Sequence, residues 1–372
     1  MDNPNKLVVL SYNLCWGCLT NNDNDATAWE LASFCRDNTP RGQKSVCLRN
    51  MANVFDRVKE QYGGLDLVAT QETVDFKSLI HFSNILKQMN YVHSKVTTSF
   101  GFVEMGSLYN PERFELIAVK AGDIDFEEKG RPYQLLFLRD KQTNKNIVFI
   151  NVHIGRNIKK LGEKRFEELS TKLTNNINNA FFTDKINSQL ASKDSESDSY
   201  GVTVLPENQT DDITDFLKNN SFEVILGGDT NDQGKFLQLD LWKGFKPFEK
   251  YNGDSNIRDI VVKSNTRPPK TCCQTERRSI AREPALGDYI VISNGLEYII
   301  ENQIPIIEYN YRIYPTSDHI PIVSVIDYKN QEGASRKRLK KVNHKKSNKR
   351  NMKNKQNIKT RYYKNRLSQR MR

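Results

Sequence analysis

The stretch FEVILGGDTNDQGKF (222–236) runs an apolar segment into two glycines and then into Asp229 and Asn231, a carboxylate and a carboxamide two residues apart. A polar turn would use the same residue types. So would a site for a hard cation or a phosphate, whose ligands sit on loops held by a rigid sheet. The same pattern recurs along the chain. LVVLSYN closes on Asn13, LDLVATQE on Glu72, and IVFINVH on Asn151 and His153, while GDYIVIS opens just before Asp288 and TSDHIPIVSVI carries Asp318 and His319. Taken singly, each residue has an ordinary explanation: a strand terminus, a solvated carboxylate, a structural histidine. Six such endings in one chain favour a shared site.

The elements that must position these residues follow from apolar periodicity. Period-two or continuous apolar runs predict strands at 6–13, 65–72, 106–110, 133–140, 146–154, 222–229, 287–294 and 319–327. Apolar residues at three- and four-residue spacing predict helices over Leu48–Gln61, Phe76–Gln88 and Phe166–Ala180. Many strands with few helices predict an α+β fold of two packed sheets flanked by helices. Residues 19–44 and 183–215 are polar and read as surface insertions.

At 372 residues the chain can bury a sizeable core. It has no apolar run of membrane-spanning length. Its first residues, MDNPNKLVVLSYN, do not read as a signal peptide, so a soluble intracellular protein is expected. Its six cysteines are then expected to stay reduced. Cys15 and Cys18, followed by Cys35 and Cys47, suggest zinc, but the spacing matches no common finger.

The net charge of +11 conceals two parts. From Ala334 to Arg372 there are 17 Lys or Arg and no Asp or Glu, so the first 333 residues hold 39 basic and 45 acidic side chains. Two domains are expected: residues 1–330, folded and acidic, and residues 331–372, a basic tail that cannot bury a core.

The motifs SYN (11–13), QE (71–72), NVH (151–153), GGDTN (227–231), GDYIVIS (287–293) and SDH (317–319), in this order, resemble the endonuclease/exonuclease/phosphatase superfamily, typified by deoxyribonuclease I. The resemblance covers roughly residues 6–327. It implies a four-layer α/β/β/α sandwich, two mixed β-sheets packed face to face with helices outside. It also implies a site at one edge holding Mg²⁺ or Mn²⁺ through Asn13, Glu72 and Asp318, for which oxygen ligands are suited. Asp229 would position or deprotonate the attacking water and Asn231 would fix the phosphate or that water. His319 would contact the scissile phosphate with Asp288 setting its tautomer, and His153 would add a second contact. Asn151 and Arg156 are expected to bind substrate.

The resemblance leaves the substrate open, since the family includes nucleases, tyrosyl-DNA phosphodiesterases, inositol-polyphosphate phosphatases and sphingomyelinases. The cationic tail favours DNA or RNA through salt-sensitive backbone contacts. RKRLKK also fits a nuclear-localisation patch, and a polybasic tail also suits an anionic membrane. The expected function is a metal-dependent phosphodiesterase on nucleic acid. The alternatives are a phosphatase or phospholipase on inositol phosphate or sphingolipid, and a catalytically idle nucleic-acid-binding protein. PKTCCQTERRSIAREP (269–284), with arginines beside two cysteines, reads as a basic surface loop or a substrate-reading one.

Overall fold

The computed structural model describes residues 5–20, 29–39, 42–98, 101–124, 131–154, 222–229, 288–293, 295–303, 305–306, 317 and 319–329. Arg156, Asn231 and Asp318 lie outside these residues, as do the expected helix at 166–180, the 183–215 and 269–284 stretches and the basic tail. One compact unit ends at Asp327.

The described strands are β1 (Leu7–Asn13), β2 (Leu67–Thr73), β3 (Asn90–Thr98), β4 (Gly101–Tyr109), β5 (Phe114–Ile124), β6 (Arg131–Asp140), β7 (Lys145–His153), β8 (Phe222–Asp229), β9 (Asp288–Ile292), β10 (Leu296–Gln303) and β11 (Ile322–Tyr328). They form a six-stranded sheet in the order β10-β11-β1-β2-β4-β3 and a five-stranded sheet in the order β5-β6-β7-β8-β9. Each sheet contains one parallel pair, β1 with β2 and β7 with β8. Its other described pairings are antiparallel. Both sheets are therefore mixed, and they stack face to face. A Cβ added to Gly227 of β8 would stand 3.2 Å from the Ala69 Cβ of β2 and 3.6 Å from the Ser11 Cβ of β1.

Helix α3 (Lys44–Tyr62) covers the outer face of the first sheet. Its buried residues Cys47, Leu48, Met51, Ala52, Phe55, Val58 and Tyr62 follow the helical period. They pack on Val8, Leu10 and Tyr12 of β1 and on Val68, Leu108, Val323 and Val325. Burying each of the Val, Leu, Met and Phe side chains among them contributes about 1.5–3 kcal/mol. Gly63, at φ 75°, ends the helix in the left-handed conformation a glycine adopts without strain.

The helix starts four residues before the expected Leu48. The Lys44 amide donates to Asp37 Oδ1 at 3.0 Å, a cap supplied from the preceding turn. The second expected helix, 76–88, is broken in two. Helix α4 (Phe76–Phe82) stops where Asp56 of α3 accepts from Ser83 Oγ and from the amides of Asn84 and Ile85, leaving a 3-10 turn at Leu86–Gln88.

The 19–44 stretch is more than a surface insertion. It contains α2 (Trp29–Cys35), and Arg36 is buried with its guanidinium on the Gly17 carbonyl of α1 (Trp16–Leu19). The expectation of reduced cysteines is corrected for the four described ones: Cys15 is disulfide-bonded to Cys18, and Cys35 to Cys47, while Cys272 and Cys273 lie outside the described residues. Among the described residues no helix is long and apolar enough to cross a membrane.

Strand alternation assigns β1 two duties. Val8, Leu10 and Tyr12 serve the helical face, while Leu7, Val9, Ser11 and Asn13 face the second sheet. That inward row turns from apolar to polar along the strand. Leu67, Ala69 and Gln71 do the same on β2, Ile147, Phe149, Asn151 and His153 on β7, and Ile225, Gly227 and Asp229 on β8. Along these four strands the inward row is apolar at one end and polar at the other, and a buried Arg113–Asp66–Asp140 ion cluster lies beside the apolar end.

Candidate active site

Strand register brings the candidate residues together at the polar end. His153 pairs laterally with Asp229, and Asp229 with Asp288, so three neighbouring strands of the second sheet offer an imidazole and two carboxyls side by side. On the first sheet Asn13 is level with Gln71. His319 enters from the segment leading into β11, which runs antiparallel to β1.

The two glycines before Asp229 allow this convergence. At Gly228 a Cβ would fall 2.3 Å from the Val152 carbonyl oxygen of the neighbouring strand, closer than any side chain can sit. Gly227 gives the first sheet room to approach.

Glu72 arrives by an irregularity. The pairing of β2 with β4 shifts between Thr70 and Thr73, and Glu72 takes φ 52°, left-handed for a residue with a side chain. Bulges of this kind re-aim a side chain beside active sites. The Glu72 carboxylate accepts from the Trp16 amide through Oε2 at 2.9 Å, and its Oε1 lies 3.3 Å from His153 Nε2.

Asp229 is central and 1% exposed. Asn13 Nδ2 donates to its Oδ2 at 2.9 Å. His153 Nε2 and His319 Nε2 approach the same oxygen at 3.9 and 3.8 Å. The other end of the His319 ring, Nδ1, lies 2.9 Å from Asp288 Oδ2, a histidine–carboxylate dyad inside the protein. Burial pushes the Asp229 carboxyl up to about 7, with Asp288 adding to the rise. The nearby His319 opposes it, Glu72 raises it further, and the Asn13 hydrogen bond lowers it. A carboxyl held near neutrality can exchange a proton with water at ordinary pH.

The donor set suits a hard divalent cation. Carboxylates crowd a largely buried space, and Asp288 Oδ1 is buried with no hydrogen-bond partner among the described residues. Two groupings could serve: Glu72 with Asn13, or Asp229, Asp288 and His319, whose ligand atoms lie within 4.8 Å of one another. In the second grouping Asp288 and His319 are already engaged with each other. Glu72, with 25% of its side chain exposed, is the carboxylate that solvent reaches.

Asn13, Glu72, His153, Asp229, Asp288 and His319 thus meet at one pole. Asn151, expected at the substrate, sits wholly buried between the sheets with its side-chain amide bonded to protein. Contributors not anticipated are the amides of Cys15 and Trp16, which bind Asn13 Oδ1 and Glu72, together with Gln71 and Ser317. Ser317 Oγ donates to the Asn13 carbonyl at 2.7 Å and accepts from the His319 amide at 3.0 Å. The two side chains stood inside the QE and SDH motifs, whereas backbone donors leave no mark in a sequence.

No family model and no curated protein matches the sequence. Solved structures similar to the chain include the human Nocturnin catalytic domain with bound sulfate, at 14% identity and TM-score 0.48, covering 88% of this chain and 97% of that one. ANGEL2, a 2′,3′-cyclic phosphatase, is similar at 15% identity and TM-score 0.49, covering 87% and 96%. TDP2 of D. rerio in complex with a single-strand DNA product is similar at 10% identity and TM-score 0.46, covering 87% and 99%. By the order of its motifs and its two mixed, face-packed sheets, the chain resembles the endonuclease/exonuclease/phosphatase superfamily.

Proposed function

We propose that the chain hydrolyses phosphoric esters with the aid of Mg²⁺ or Mn²⁺, and that its substrate is nucleic acid. The observation that carries the reading is the convergence of Asp229, both histidines and the Asp288 partner of His319 beside Glu72 and Asn13. A phosphodiester is anionic and repels a nucleophile, so its hydrolysis needs a base for water and positive charge for the phosphoryl oxygens.

Asp229 receives the proton of the attacking water. Asn13 Nδ2 holds it in place through Oδ2. The imidazole of His319, its tautomer set by Asp288, presents Nε2 toward the scissile phosphate. His153 donates to a second phosphate oxygen. Glu72 and Asn13 would hold the cation, which when bound supplies charge neutralisation at the phosphate. Asp318 as a further ligand, and Asn231 and Arg156 at the phosphate, belong to the same proposal.

The choice of nucleic acid rests on the tail, whose 17 cations without an acid can neutralise many backbone phosphates. In this reading residues 1–330 are the catalytic domain, and 331–372 add affinity and a nuclear-localisation patch. A phosphatase or phospholipase acting on an inositol or lipid phosphate would use the same site. A catalytically idle binder would have no use for the buried dyad.

The test is hydrolysis with Mg²⁺ or Mn²⁺ of single- and double-stranded DNA, RNA, a 5′-tyrosyl oligonucleotide, inositol phosphates and sphingomyelin, by wild type, Asp229→Ala and His319→Ala. Cleavage of nucleic acid that both variants lose supports the proposal. Turnover of only inositol or lipid phosphates keeps the site and discards the substrate. Nucleic-acid binding without any turnover discards the enzyme.

A further inference from the structure

The bulge that presents Glu72 raises a question of backbone accounting. Along the β2–β4 ladder the pairs run Leu67 with Tyr109, Val68 with Leu108, Ala69 with Ser107 and Thr70 with Gly106, then jump to Thr73 with Glu104. Three steps on β2 oppose two on β4, so β2 carries one extra residue. A bulge interrupts the ladder, and buried peptide groups beside it need other partners.

Some of those partners come from the first sheet itself, where Thr70 Oγ1 donates to the Gly106 carbonyl at 3.0 Å and the Leu14 amide to the Gln71 carbonyl at 2.8 Å. One comes from the opposite sheet. Asn151 of β7 directs Nδ2 to the carbonyls of Thr70 at 3.2 Å and Gly106 at 2.9 Å, the last regular pair before the shift. The same nitrogen lies 3.1 Å from Ser107 Oγ, and Asn151 Oδ1 accepts from Gln71 Nε2 at 2.8 Å. One carboxamide therefore engages both strands of the bulge and the residue immediately before Glu72. Few other side chains could do this. The position requires a short side chain with two donor hydrogens and an acceptor at its end.

We infer that Asn151 is a positioning residue: by filling the bulge it fixes the backbone from which Glu72 reaches the site. The inference rests on the proposal that Glu72 is a cation ligand. It moves Asn151 from substrate contact to the support of a ligand. It also accounts for a left-handed Glu72, because a strained conformation persists where its surroundings over-determine it.

The experiment measures Mn²⁺ affinity by electron paramagnetic resonance, together with kcat and KM, for wild type, Asn151→Ala, Asn151→Asp and Gln71→Met. The assay temperature is set below each variant's unfolding transition. Asn151→Asp keeps the shape but loses both donors. Gln71→Met keeps bulk, cuts the Oδ1 contact together with the longer 3.5 Å contact to Ser11 Oγ, and stands in if the Asn151 variants do not fold. The expected result is about 10- to 100-fold weaker Mn²⁺ binding for both Asn151 variants, a parallel fall in kcat and an unchanged KM. For Gln71→Met a smaller loss of the same kind is expected.

Unchanged Mn²⁺ affinity and kcat with a raised KM would make Asn151 a substrate contact and overturn the inference. Unchanged affinity and kinetics with only a lower Tm would reduce it to packing. A wild type that binds no Mn²⁺ overturns the reading of Glu72 itself and takes the inference with it.

Discussion

The first sheet has two faces of opposite character, built from the same strands. Toward α3 it offers Val8, Leu10, Tyr12 and Val68, packed among buried apolar side chains. Toward the second sheet it offers Leu7 and Val9, then Ser11 and Asn13, with Gln71 alongside. The apolar face is held by non-directional burial, so substitutions that conserve volume are tolerated. The inner face near the pole is held by directional hydrogen bonds, where one lost partner strands another buried group. On β1 and β2 the face toward α3 serves packing, whereas the inner face passes from packing to polar contacts along each strand.

The largest effect that separates the faces is expected from Asp229→Ala: a loss in turnover of about 10³-fold or more, with the fold retained in circular dichroism. The converse change, Phe55→Ala beneath α3, should cost about 3–5 kcal/mol in urea unfolding while the remaining folded protein keeps its turnover. If Phe55→Ala also abolished the turnover of folded protein, the two faces would not be separable.

A pH series sharpens the contrast. The Asp229 carboxyl ordinarily titrates at 3.8 and is held near 7 in the folded chain, so the folded state binds the extra proton between those values. Stability of the cation-free protein is therefore greatest below about pH 4 as far as this group is concerned. It is lost as pH rises toward 7, by about 4 kcal/mol at most. Denaturant midpoints measured against pH should show this fall, and Asp229→Asn should flatten it. The smallest expected effect is that of Gly228→Ala, about 1–3 kcal/mol in urea midpoint, from forcing a methyl against the Val152 carbonyl.

The strands that sequence periodicity identified are chiefly interior ones, and the strands it missed are β3, β5 and β10. All three lie at sheet edges among the described strands, where the burial that imposes alternation is weaker. NYVHSKVTT in β3 and LEYIIENQ in β10 carry polar residues at positions an interior strand would keep apolar. The helix ends escaped for another reason, since Asp37 and Asp56 act from other parts of the chain. At the pole, the side chains that meet were visible as polar residues at strand ends. The division of labour among them was not, because Asn151 and His153 look equivalent in NVH, yet one faces the bulge and the other the carboxylates.

The lateral pairing of His153, Asp229 and Asp288 has a consequence for handling the protein. A slip of one residue between β7 and β8 would turn every β8 side chain to the opposite face, exchanging Asp229 for Gly228 beside the histidines. Such a chain could still be compact and rich in sheet, yet it would be inert. Specific activity would then count correctly registered molecules, and a refolded preparation could be graded by turnover where spectroscopy sees no difference.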